Sequence, residues 1–365
     1  MAYTTFVGQL NPNEIFGAIY NMIISQHVFA DNIKGTYGDL AEMCRVDGTL
    51  YGDTKLYYSV DILKTHDWRT EIENGTAQNL LETDRPDEPS VQKITIDQFR
   101  QIRLTVDNYL TKRAWVSEGA FSSFNSIMLG MIRDTKRVYD ATLINSFIGT
   151  NETEIGLQNK DITAIAGQND ALTMAEALAS DLVNLKDITR DYNDYGYLRS
   201  FNESDLVVIW NAKHYTTLKK IDMPTIFHTE GLLTEFDQKV LPARYFGTPA
   251  GTVHFNLYTA TGDEEARSLV EKDITVSGQV KHLFPGDELP HGAQMPEDEV
   301  YIVDDTIAYK IMHKDSVPFM SGFEVATSFF NARSLTENNY LTFGYNTLEH
   351  LAQYPFITRR FREGA

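Results

Sequence analysis

The sequence predicts an α+β protein built around one unusually long helix. Three observations support that class. Residues 117–149 repeat apolar side chains at helical spacing, over a span well above the usual helix length of about 11 residues. Strand-forming text with a period of two stands before this span and again near the C-terminus. Between the two, helical and strand text are mixed.

The long helix rests on Phe121, Phe124, Met128, Met131, Ile132, Val138, Tyr139, Leu143 and Phe147, spaced as one helical face. Arg133, Lys136, Arg137 and Asp140 fall on the other face, where charges four or fewer apart support each other modestly. Ser117 reads as the N-cap and Gly149 as the stop. Gly119 and Gly130 each cost roughly 1 kcal/mol against alanine. A helix of this length is about 45 Å long. A subunit that must span or brace something needs such a rod, and a long core helix in an ordinary α+β enzyme fits the helix alone equally well.

Ahead of it, Asn11, Pro12 and Glu14 form a helix start, followed by an apolar stripe of Ile15, Ile19, Met22 and Ile23. Residues 31–53 turn to glycines and mixed polarity, as in an arm lying on a neighbour or on its own core. In residues 55–64, Leu56, Tyr58, Val60 and Ile62 alternate with polar residues and read as a strand. A polar, turn-rich stretch covers 70–89, and residues 91–106 return to strand text through Ile94, Ile96, Ile102, Leu104 and Val106. Two strand systems around a polar excursion suggest a long β-hairpin. Such a hairpin cannot bury both faces alone and needs a partner surface, most simply another subunit. A solvated hairpin or an enzyme insertion is the plainer alternative.

After the long helix, residues 150–170 read as loop and 173–185 as a second helix. Residues 206–210 are a buried strand leading into a helical run at 212–221. Residues 253–258 alternate as a strand, and 263–299 read as loops and short strands. Strands are expected at 300–303, 306–312, 323–331 and 340–345, with N- and C-terminal parts completing one sheet.

With 365 residues, 42% of them hydrophobic, the chain can bury a substantial core. No apolar run is long enough to span a membrane, and the N-terminus lacks a secretory pattern. The lone cysteine, Cys44, allows no internal disulfide and reads as a small buried hydrophobe. The net charge of −19 argues against broad gripping of nucleic acid, which rests on neutralising phosphates. It leaves room for a protein that lies beside DNA without sticking to it.

Catalytic signatures are missing: no phosphate-binding glycine loop, no H-E-x-x-H, no nucleophile elbow. No catalytic, cofactor or metal residues are therefore assigned. His282 and His291 flank Asp287 and Glu288, but their spacing matches no zinc pattern. Residues 191–196 start like a calcium loop. Tyr195 sits where an oxygen ligand is wanted and Asn202 where a bidentate Glu should close it, so a solvated turn is the better reading. Arg359, Arg360 and Arg362 read as a small basic tail with a surface or interface role. Lys55, Lys64 and Lys93 lie in the hairpin region without a nameable crosslinking partner.

Three blocks carry a resemblance. The first is VDNYLTKRAWVSEGAFSSFNSIMLGMIRDTKRVYDATLINSF, strand text running into the long helix. The second is LVVIWNAKHYTTLKKIDM, strand then helix. The third is VYIVDDTIAYKIM with the later LTFGYNTLEHLAQYPFITRRF. In these the chain resembles tailed-bacteriophage major capsid proteins of the Hong Kong 97 fold, closest to those of small short-tailed phages of Gram-positive hosts. Residues 247–299 run longer than that pattern.

The resemblance implies an N-terminal arm at 1–50, an extended β-hairpin loop at 51–110, and a peripheral domain with a spine helix at 111–194. It implies an axial α/β domain at 195–298, with strands in 299–365 completing the peripheral domain. It further implies a shell of hexamers and pentamers around packaged double-stranded DNA, a scaffolding protein and portal as partners, no membrane, and assembly in the host bacterial cytoplasm into a virion. Subunit contacts are expected at Ile15, Ile19 and Ile23 on the arm and at Tyr58, Ile62 and Trp68 on the loop. An encapsulin-like compartment and a cytoplasmic α+β enzyme are the alternatives.

Overall fold

The computed structural model describes residues 39–46, 54–65, 85–107, 118–165, 170–219, 237–249 and 265–362. The expected helix start at Asn11, the cap at Ser117 and the strand at 253–258 lie outside the described residues.

The first elements are a short helix α1 (Asp39–Met43) and three strands, β1 (Arg45–Val46), β2 (Thr54–Ser59) and β3 (Ser90–Asp107). The long helix follows as α2 (Glu118–Thr150). Then come β4 (Asn159–Thr163), α3 (Asp170–Lys186), β5 (Leu206–Asn211), α4 (Ala212–Lys219) and β6 (Asp237–Leu241). Four short strands are next: β7 (Gly247–Pro249), β8 (Ala266–Ser268), β9 (Lys272–Val276) and β10 (Gln279–Leu283). The chain closes with β11 (Val300–Val303), β12 (Ile307–His313), β13 (Phe319–Asn331), β14 (Thr336–Asn346) and β15 (Phe356–Arg362).

Two five-stranded sheets organise these elements. One has the order β1-β13-β14-β3-β2, so strands from both ends of the chain share it, as the sequence predicts. Its centre is the ladder of β3 on β14, which runs from Thr336 opposite Asp107 to Asn346 opposite Ile96. At 18 residues, β3 is about 60 Å long. Only its first third pairs with β2, from Ser59 opposite Ser90 to Thr54 opposite Thr95. Half of the expected hairpin is thus built into the body.

The other sheet has the order β4-β15-β12-β5-β6. All six residues of β5 are buried, because both faces of the strand are covered. Leu206, Val208 and Trp210 pack with α3 residues Met174, Leu178 and Leu182. Val207 and Ile209 face the other way, toward Tyr139, Ile144 and Ile148 of α2. The same cluster takes in Phe343 and Tyr345 of the first sheet, so α2 is packed between the two sheets. Asn211 caps α4 by accepting the Lys213 N–H at 3.1 Å.

Four expectations need correction. Gly149 does not stop the helix, which continues to Thr150. A Cβ there would stand 1.9 Å from the Tyr245 carbonyl oxygen, so glycine lets the helix touch the 243–245 turn. The loop at 150–170 contains β4, an edge strand with one buried residue, Ile162, and hence no alternation to see. The arginine tail is β15, an inner strand. Arg359 is 3% exposed and grips Asp181 of α3 with two bonds, at 2.7 and 2.8 Å. Arg360 binds Glu152, Asn159 and Asp304.

The 191–196 turn is a turn, but not a solvated one. Asn193 is buried and bridges the backbone N–H and C=O of Tyr197 at 2.8 and 2.6 Å. Asp194 accepts from Thr153 and Gln158.

Candidate functional site

Strand β2 is the outer strand of its sheet, and its two faces differ. The face with Tyr57, next to Ile94 and Ile96 of β3, packs on Met320 and Leu351. Gln92 of β3 fixes that side, donating to the His350 carbonyl at 2.9 Å and accepting the Ala352 N–H at 3.1 Å. The other face presents Leu56 and Tyr58, and the same alternation continues through Val60 and Ile62 beyond the strand. Tyr58 is 62% exposed and Ile62 58%. Leu63 and, across the ladder from Tyr58, Val91 are exposed as well. An unbroken apolar stripe on an edge strand is a candidate contact surface.

The stripe is held from behind by polar groups. Asp61 accepts the backbone N–H of Leu198 at 3.0 Å and of Ile62 at 2.9 Å, and the Arg190 guanidinium at 2.6 Å. The Leu198 bond first, then Arg190, holds the Asp61 carboxyl at about 2, below its ordinary value. Arg199 donates to the Ser59 hydroxyl at 2.9 Å and the Val60 carbonyl at 2.7 Å. The hydroxyls of Ser90 and Tyr197 share a further bond of 2.7 Å. The segment after β2 is therefore pinned to the 190–199 region through its backbone and polar side chains, with its apolar side chains facing out.

Of the sequence-predicted contact residues, Tyr58 and Ile62 lie on this stripe. Ile15, Ile19, Ile23 and Trp68 lie outside the described residues. A second exposed set was not anticipated. Phe329, at 64% exposure, and Phe330 occupy opposite faces at the closed end of the β13–β14 hairpin, with exposed Leu335 in its turn. Leu335 has φ +54°, a left-handed conformation a leucine seldom adopts. Two adjacent phenylalanines just ahead of a polar turn were the readable signal.

Nothing at these surfaces resembles a reaction centre. Among the described residues, no group of three or more His, Cys, Asp and Glu is arranged to hold a metal. His282 turns to Glu271 and Asp273, not to Asp287 and Glu288. Cys44 is buried, and burial, helped by Asp315, pushes its thiol up to about 12, so it is no nucleophile.

Comparison with known proteins gives the lineage. The family model for Phi29-like phage major capsid proteins matches residues 7–348. The chain belongs to that family. Among solved structures, this capsid protein is similar to a chain in the capsid of Staphylococcus phage Andhra, with a TM-score of 0.61 and 10% identity. The match covers 99% of this chain and 90% of that one. A chain in the structure of the head fiber and inner core protein gp22 of native bacteriophage P68 matches with the same TM-score, identity and coverages. At 10% identity these likenesses establish the α+β fold of tailed-phage capsid proteins. No curated protein sequence matches the capsid protein.

Proposed function

We propose that this protein is the shell subunit of a tailed-phage head, assembling with copies of itself into hexamers and pentamers around double-stranded DNA. The observation that carries the reading is the exposed stripe of Leu56, Tyr58, Val60 and Ile62, fixed from behind and open to a partner. In the Hong Kong 97 arrangement α2 is the spine helix, residues 51–110 are the extended loop over a neighbouring subunit, and 195–298 are the axial domain. Residues 1–50 are then the arm, with Ile15, Ile19 and Ile23 as further contacts and Trp68 as a contact on the loop. Residues 111–194, with the strands of 299–365, are the peripheral domain. The net charge of −19 suits an inner wall past which packaged DNA slides. Many shallow contacts of this kind add up through multivalency, so no single pair need be tight. A scaffolding protein and the portal are the expected partners during assembly in the host cytoplasm.

Family and structural neighbours are capsid proteins, which supports a structural role over the enzyme alternative. Expression of the chain alone and with its neighbouring reading frames, followed by electron microscopy, tests the proposal. Closed shells or sheets of hexamers support it. Uniform monomers under every partner and salt condition refute it. Shells carrying enzyme cargo in place of DNA favour the encapsulin-like reading.

A further inference from the structure

We propose that His282 is a pH-operated clasp on the β9–β10 hairpin, closed when the imidazole is protonated and opened on one side when it is neutral. His282 and Asp273 are direct ladder partners, so their side chains share a face. Nδ1 of His282 stands 2.6 Å from Asp273 Oδ1, and Nε2 stands 2.8 Å from Glu271 Oε1. Both ring nitrogens thus meet carboxylate oxygens, which only accept hydrogen bonds. An imidazolium satisfies both. A neutral imidazole has a single N–H, and either tautomer leaves a lone pair facing a carboxylate. The geometry therefore fits only the charged form, independent of how far the group's titration moves.

The clasp sits where the hairpin meets the body. The carbonyl of Glu271 accepts from Arg100 of β3 at 3.3 Å, and neighbouring Lys272 pairs with Glu299 at 2.5 Å. A two-stranded hairpin is marginal by itself, so a bond at its base matters to its order. The His282 ring also stands edge-on to Phe284, with centroids 4.9 Å apart. The charges that act on the ring are Glu271 and Asp273; Arg100 donates to the Glu271 backbone and also feels the Glu271 charge, and Lys272 turns to Glu299. Burial opposes protonation, but the Asp273 bond and the Glu271 charge outweigh it and raise the pKa above its ordinary value.

The test is histidine NMR titration of the full-length chain together with hydrogen exchange at residues 271–283, corrected for intrinsic pH effects. His282 should titrate above about 6.5. Amide protection in the hairpin should fall about two- to fivefold as pH rises through that point, the scale of a half-exposed ion pair. His282→Gln, which offers one amide NH2 and one carbonyl oxygen at every pH, should abolish the step. In Glu271→Gln the titration should move back toward the ordinary histidine value. The proposal is overturned if His282 titrates at or below 6.5, if hairpin protection is the same on both sides of its titration, or if the step survives in His282→Gln.

Discussion

Lys310 shows what a single residue can cost this fold. It is fully buried in the middle of β12, with its Nζ donating to the Asn151 carbonyl at 2.7 Å beyond the end of α2. Burial pushes its pKa down to about 7. Between pH 7 and about 10.4 the unfolded chain therefore holds a proton that the folded chain lacks, and stability rises with pH. Thermal melts across that range should show the rise, and Lys310→Met should flatten it. Asp61 has the opposite sign. Its lowered pKa means that its pinning bonds hold well below the ordinary carboxylate range and weaken only as pH falls toward about 2. Asp61→Asn should raise hydrogen exchange at residues 60–63 at neutral pH while leaving the melting temperature nearly unchanged. Asp181→Ala leaves the Arg359 guanidinium buried without its carboxylate and should cost about 3–5 kcal/mol in denaturant unfolding. These roles were the least legible part of the sequence. Asp181 lies 178 residues before Arg359 and Glu152 lies 208 before Arg360. Three arginines near the end of a chain look like a solvated tail unless the sheet that buries them is known.

At the scale of elements, the long helices α2 and α3 were read to within three residues, because a 3.6-residue period repeated over many turns is hard to mimic; the five-residue α1 is too short to show one and was missed. Strands were read when one face was wet and the alternation showed, as in β2, or when both were dry, as in β5. β4 escaped because a parallel edge strand needs only backbone bonds to β15, and its sequence carries a single apolar side chain. Two of the three glycines of α2, Gly130 and Gly149, give a paired test of what the helix touches. Nothing stands within 4 Å of a Cβ on Gly130, so Gly130→Ala should stabilise the protein by up to about 1 kcal/mol. Gly149→Ala carries the same helix benefit but drives a methyl into the Tyr245 carbonyl. It should destabilise by about 1–3 kcal/mol, a reversal of sign that chemical denaturation would register.

At the scale of the molecule, the list of elements was legible and their partnership was not. Tail strands divide between the sheets: β13 and β14 join β3, while β12 and β15 join β5. Strand propensity does not encode which of two sheets a strand joins; long-range packing around α2 does. The exposed stripe was half legible, because alternation in 55–64 named the apolar face but not the polar pins behind it. The double substitution Tyr58→Asp, Ile62→Asp should leave the subunit folded, with a melting temperature within a few degrees of the parent. It should abolish shell formation in sedimentation and electron microscopy. A variant that still closes into shells would remove the stripe from the assembly scheme.

Leu56, Tyr58, Val60 and Ile62 belong to none of the four buried clusters. The β2–β3 ladder orients Leu56 and Tyr58, and the partners of Ser59, the Val60 carbonyl and Asp61 orient Val60 and Ile62. Selection can therefore rewrite the adhesive side chains without paying in folding, so long as Ser59 and Asp61 stay. Lineages of this capsid should accordingly exchange one apolar residue for another along the stripe while holding the polar residues that aim it.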